Sequence, residues 1–117
     1  MILYGIPNCD TVRKARKFLD THQLKYLFHD FKKEGLSLSL IQSWLTQQPI
    51  EKLVNKRSTT WKQLSDAQKT QLMSQENLTI LTEHPTLIKR PVLQIENGTQ
   101  SSIMIGFDEK AYQSLKL

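Results

Sequence analysis

Residues 2–18 read ILYGIPNCDTVRKARKF. Ile2–Ile6 form a short apolar run of the kind that makes a buried strand. Pro7, Asn8 and Asp10 then mark a turn. From Thr11 onward Val12, Ala15, Phe18 and Leu19 recur at helical spacing, which predicts a helix over 10–22. Cys9, the only cysteine in the chain, therefore falls between a strand and the start of a helix.

That position has a chemical consequence. The first N–H groups of a helix have no partner inside it, and the helix dipole adds about half a positive charge there. A thiolate at that point is stabilised, and its pKa can fall from about 8.5 into a range of roughly 3.5–7.5. The thiolate is the nucleophile, so the position suits a reactive cysteine. Asp10, next in sequence, opposes this with negative charge. A structural cysteine would more naturally sit within the apolar run or beside Val12 and Ala15, whereas Cys9 lies in a polar turn.

Outward from this stretch, KYLFHDF at 25–31 is rich in aromatic residues, with Tyr26, Phe28 and Asp30 alternating with Leu27, His29 and Phe31, and predicts a second strand. Strand, helix and strand in that order imply two parallel strands joined by a right-handed crossover. KKEGLS follows as a loop closed by Gly35, with Ser37 or Ser39 as the next cap. The middle, 38–84, predicts a helical block without strands. Leu38, Ile41, Trp44 and Leu45 share one face, and Ile50, Leu53 and Val54 form a short second helix. A turn follows at 60–64, then a helix over 66–74 capped by Ser65. A last one starts at Ser74 or Asn77, with Leu78 and Leu81 inward. PVLQIE (91–96) and SIMIG (102–106) predict a hairpin across Asn97-Gly98, with Thr99–Ser101 lengthening its loop. Asp108 caps a final helix whose apolar face holds Ala111, Tyr112 and Leu115. The expected fold is α/β: a single domain over 1–117, with a four-stranded mixed sheet and a helical insertion at about 38–84.

The chain has 117 residues and a formal net charge of +5. One domain of this size holds a real core. No apolar run approaches a membrane span, and the N-terminus lacks a signal-peptide pattern. A single cysteine excludes an internal disulfide and a cysteine-rich zinc site, and it suits a reducing compartment. A cytoplasmic monomer is expected. His22, His29 and His84 lack paired ligand spacing, so no metal site is expected. The positive balance favours anionic partners. Arg13, Lys14, Arg16 and Lys17 are spaced as the water-facing side of a helix, so nucleic acid is not an expected partner. His29 and Asp30 read as strand-end structure, and Trp44 and Trp61 as packing.

YGIPNCDTVRKA at 4–15 resembles the active-site segment of the arsenate reductase (ArsC)/Spx family, most of all its YffB-like branch. FHDF at 28–31 with Gly35-Leu36, NKRSTTWK at 55–62, IKRPV at 88–92 and IGF at 105–107 extend the resemblance, in order, over nearly the whole chain. The resemblance implies a thioredoxin-like fold with a helical insertion. In the family's arsenate reductases a cysteine matching Cys9 attacks arsenate, and three arginines hold the oxyanion. Glutathione with glutaredoxin then resolves the intermediate.

Arg57 and Arg90 match two of those arginines. The third position is Phe107, which cannot donate a charged hydrogen bond. The Spx regulators also lack that arginine but usually carry a second cysteine three residues after the first. Here that residue is Val12, so an internal Cys-x-x-Cys switch is absent. Arg90-Pro91 resembles the cis-proline position of thioredoxin-like proteins, whose neighbouring segment borders the active cysteine.

The resemblance thus implies a glutathione-dependent thiol reductase or transferase with catalytic Cys9. Asn8, Arg57, Arg90 and Pro91 would stabilise the thiolate or bind an anion or glutathione. No tightly bound cofactor is expected. Glutathione is the expected co-substrate, with glutaredoxin or protein disulfides as further partners. The alternatives are a non-catalytic Spx-like regulator that binds RNA polymerase, and a glutaredoxin-coupled arsenate reductase.

Overall fold

The computed structural model of the chain describes residues 1–115, and for Asn97 and Gln100 the backbone alone. In chain order the elements are β1 (Ile2–Gly5), α1 (Asp10–Thr21), β2 (Leu27–Asp30), α2 (Phe31–Glu34), α3 (Leu38–Leu45), α4 (Ile50–Leu53) and α5 (Thr59–Gln63). They continue as α6 (Asp66–Met73), α7 (Thr79–Glu83), a 3-10 turn at Pro85–Leu87, β3 (Val92–Asn97), β4 (Gln100–Ile105) and α8 (Glu109–Gln113). Two compact units result: residues 1–33 with those from Arg90 onward, and Glu34–Lys89.

The first unit holds one four-stranded sheet in the order β2-β1-β3-β4. β1 and β2 are parallel, while β3 runs antiparallel to both β1 and β4. This is the mixed sheet expected of a thioredoxin-like fold. The apolar stripe of α1, Val12, Ala15, Phe18 and Leu19, is buried. Ala15, Phe18 and Leu19 share a core cluster with Leu3 of β1, Leu93 of β3 and Tyr112 of α8. Gly5 permits close approach at the head of this helix. A Cβ built there lies 2.8 Å from one Val12 methyl and 3.2 Å from the other, so only glycine lets the first turn of α1 seat on β1.

Several boundaries depart from the sequence reading. α1 ends at Thr21, and Gln23 takes a left-handed φ of 56°. That position commonly holds glycine, which left no stop signal to read. β2 is shorter than 25–31 because the Asp30 carboxylate accepts the Lys32 N–H at 2.9 Å and caps α2. The hairpin loop is also shorter: Asn97 pairs with Gln100, leaving Gly98 and Thr99 as the turn, with φ of 65° at Gly98. Thr99 therefore stands alone with Gly98 in the loop, and Gln100 and Ser101 belong to β4.

The second unit is helical, with Ile41 and Trp44 of α3, Ile50 and Leu53 of α4, Leu72 of α6 and Ile80 and Leu81 of α7 buried. Ser37, Ser58 and Ser65 each cap a helix through their hydroxyl. Val54, expected inside a helix, is extended and bridges Ile88 in antiparallel fashion. Leu78 lies at the start of α7, half-buried, and Ile80 takes the inward place beside Leu81. Among the described residues no helix is long and apolar enough to cross a membrane.

Candidate active site

Cys9 is the N-cap of α1, with φ −123° and ψ 127°. Its carbonyl accepts the first helical bond from the Arg13 N–H at 2.9 Å. The residue is half-buried, between the exposed Asn8 and Asp10. Its sulfur closes no formal capping bond. Partial burial pushes the thiol upward, yet the Val12 N–H, the Arg90 guanidinium, the Thr11 N–H and the charge of Arg90 together carry it below its ordinary value. The donors are thus those expected of a helix start, joined by one arginine.

The sheet explains why that arginine arrives. β3 runs antiparallel to β1, and Val92 sits opposite Tyr4. The chain leaving β1 toward Cys9 and the chain entering β3 from Arg90 therefore occupy the same end of the sheet. The Arg90-Pro91 peptide is cis. Pro91 is buried, and its carbonyl accepts the Gly106 N–H at 2.8 Å. Arg90 is half-buried and hydrogen-bonds the sulfur.

Asn8 faces another partner. Its Oδ1 accepts from Nη2 of Arg13 at 2.6 Å, while Nη1 of Arg13 donates to Asp10 Oδ1 at 2.8 Å. Arg13 is exposed, as expected of the RKARK run, and it also bonds the residues on either side of Cys9. Arg16 is engaged as well: its guanidinium carbon lies 4.2 Å above the Phe28 ring, and its Nε donates to Tyr26 Oη at 3.3 Å. Lys14 and Lys17 are exposed. The i, i+2, i+5 spacing of Asn8, Asp10 and Arg13 was the available signal, and the basic composition of the run masked it.

The remaining candidates have partners of their own. Arg57 belongs to the helical unit and is exposed. Its N–H donates to Asn55 Oδ1 at 3.0 Å in a side-chain-closed turn that leads into α5. His29 meets the Tyr4 ring in a tilted contact, 4.8 Å between centroids, and Asp30 caps α2. Trp44 is fully buried. Trp61 lies 5.6 Å from the Lys56 amine and 5.5 Å from the Lys69 amine. Among the described residues no cluster of three histidine, cysteine or carboxylate side chains could hold a metal.

Phe107 packs with aromatic neighbours. Its ring meets Tyr112 edge-on at 4.8 Å and lies 6.1 Å from Phe18, which meets Tyr112 edge-on at 5.8 Å. It also lines a cleft of about 650 Å³ along α1 with Lys14, Lys17, Phe18, His22 and Asp108. None of the groups that act on the sulfur line that cleft.

The ArsC family model matches residues 4–115. The chain belongs to the ArsC family. It is 45% identical over 112 residues to an uncharacterized protein of Haemophilus influenzae, covering 96% of this chain and 95% of the other. It is 31% identical over 111 residues to the global transcriptional regulator Spx of Lactiplantibacillus plantarum, covering 93% of this chain and 80% of that one. A solved structure of a YffB protein superposes with a TM-score of 0.86 at 35% identity, covering 99% of this chain and 98% of its own. In this ArsC-family member, Phe107 is committed to the aromatic core, and the thiol is served by one guanidinium within its own unit.

Proposed function

We propose that this protein is a single-cysteine thiol oxidoreductase that uses glutathione. The observation that carries the reading is the placement of Cys9 at the head of α1 with the Arg90 guanidinium hydrogen-bonded to its sulfur. That arrangement favours the thiolate over the neutral thiol. Half-burial leaves the sulfur accessible to a reactant.

The chemistry follows thiol–disulfide exchange. The Cys9 thiolate attacks the glutathione sulfur of a glutathionylated thiol, forming a Cys9–glutathione disulfide and releasing the substrate thiolate. A second glutathione thiolate attacks the glutathione sulfur of that mixed disulfide. It leaves as oxidised glutathione and frees the Cys9 thiolate. External glutathione must resolve the intermediate because the chain has no second cysteine. Arg90 would stabilise the Cys9 thiolate both before attack and as the leaving group. Pro91 fixes the segment that carries Arg90. The resemblance, rather than geometry, brings in Arg57 as a further contact for a carboxylate of glutathione.

The test is deglutathionylation of a glutathionylated peptide, followed together with pH-dependent alkylation of the thiol. Cys9→Ser should abolish turnover. Arg90→Gln should slow alkylation below neutrality by about tenfold, as expected for the loss of one hydrogen bond to a charged group. A wild-type thiol that alkylates like free cysteine, or turnover that survives in Cys9→Ser, would refute the reading.

Similarity to the Spx regulator favours a second reading, a regulatory contact with RNA polymerase. Pull-down with polymerase from the same cell separates the two, since that contact should survive Cys9→Ser. Arsenate reduction is disfavoured: Phe107 supplies no charge where the family's reductases place an arginine, and its ring is held by Phe18 and Tyr112.

A further inference from the structure

The side chains on either side of Cys9 share one partner. Arg13 donates one η-nitrogen to Asn8 at 2.6 Å and the other to Asp10 at 2.8 Å. A guanidinium presents its donors in a rigid planar fork, so it can hold two acceptors at once where an ammonium could not. Asn8 belongs to the turn before α1 and Asp10 to its first position. We propose that Arg13 is a positioning residue for Cys9, clasping Asn8 and Asp10 so that the Asp10 carboxylate is held and neutralised on the residue adjoining the thiol.

Without that clasp, Asp10 is a negative charge on the residue adjoining a thiolate. Arg90 reaches the sulfur from the segment entering β3 and acts in the opposite direction. Asp10 and Arg13 are the charged groups next to it on α1. Asp10 is 88% and Arg13 56% exposed. A pair that exposed adds little to stability. Its removal therefore leaves the fold in place and isolates the effect on the sulfur.

The proposal rests on Cys9 as a reacting thiolate. Alkylation by iodoacetamide tests it without glutathione, on the full chain, as a cycle of Arg13→Gln, Asp10→Asn and the double variant. Arg13→Gln should alkylate about threefold more slowly at pH 6.5, from one exposed charge uncovered on the residue next to Cys9. Asp10→Asn alone should change the rate little. Adding it to Arg13→Gln should bring the rate back to wild type, which a merely structural role for Arg13 would not do. Thermal unfolding of each variant checks that the fold is retained.

If Arg13→Gln matches wild type across the pH profile, or the double variant stays as slow as Arg13→Gln, the clasp is overturned. If Asp10→Asn accelerates alkylation equally with and without Arg13, it is overturned too. A wild-type profile like that of free cysteine overturns the thiolate reading itself, an outcome distinct from the others.

Discussion

At the start of α6 the Ser65 hydroxyl accepts the Gln68 N–H at 3.1 Å, and Gln68 Oε1 accepts the Ser65 N–H at 2.9 Å. That capping box satisfies two donors with neutral oxygens. At the start of α1 the cap is Cys9, in a similarly extended backbone conformation, and its sulfur closes no such bond. The donors left over at α1, from Thr11 and Val12, instead lower the thiol's pKa. One helix start commits its free N–H groups to stability, and the other keeps them for a negative charge. The difference lies in one atom at the cap and in what surrounds it, because Arg90 joins the donors at α1.

The comparison breaks most readily at Gly5. Alanine there would put a methyl group 2.8 Å from a branched Val12 side chain, which has no rotamer freedom to retreat. Overpacking of this kind costs about 1–3 kcal/mol. Because Val12 supplies one of the N–H groups at the sulfur, Gly5→Ala should also slow Cys9 alkylation. Urea unfolding read alongside the alkylation rate checks both. An unchanged rate in a destabilised protein would separate the seating of the helix from the ionisation of the thiol.

The contrast sharpens at Ser65. Its replacement by alanine removes a capping box and should cost about 1 kcal/mol. Cys9 alkylation should not change, since the lost donors serve α6 alone. A change in both readings would mean that the two helix starts are coupled.

These two helix starts were unequally legible. Ser65 before a polar helix is an ordinary cap signal, and Cys9 between an apolar strand and a 3.6-residue apolar repeat places the thiol without further help. The periodic stripe of α1 is what made this possible: Val12, Ala15, Phe18 and Leu19 all turn inward. Arg90 was out of reach of periodicity, because it meets Cys9 only through the antiparallel pairing of β1 with β3. It was found through the resemblance. Arg13 is exposed, as a basic run predicts, but its bonds to Asn8 and Asp10 went unread because the composition of the run masked their spacing. Asn97-Gly98 marked the hairpin, yet pairing of Asn97 with Gln100 moved the turn to Gly98-Thr99. At β2 a local side-chain cap from Asp30 overrode the aromatic alternation that predicted a longer strand.

The smallest effect concerns Cys9 itself and carries the most information. Serine is a good N-cap, so Cys9→Ser should turn α1 into a start like that of α6 and add about 0.5–1 kcal/mol of stability, while removing the nucleophile. The gain should depend on pH. The folded thiol has a lowered pKa, so between that value and the unfolded value near 8.5 the native state has released a proton that the unfolded chain still holds. Wild type therefore gains stability as pH rises through this window. The gain is complete above the unfolded value and lost as pH falls through the folded one. The serine variant has no such term. Its advantage should be largest near pH 5 and shrink by pH 9, as read from urea unfolding at the two pH values. An advantage that stays constant across that range would mean that the donors at α1 do not favour the charged sulfur over the neutral one.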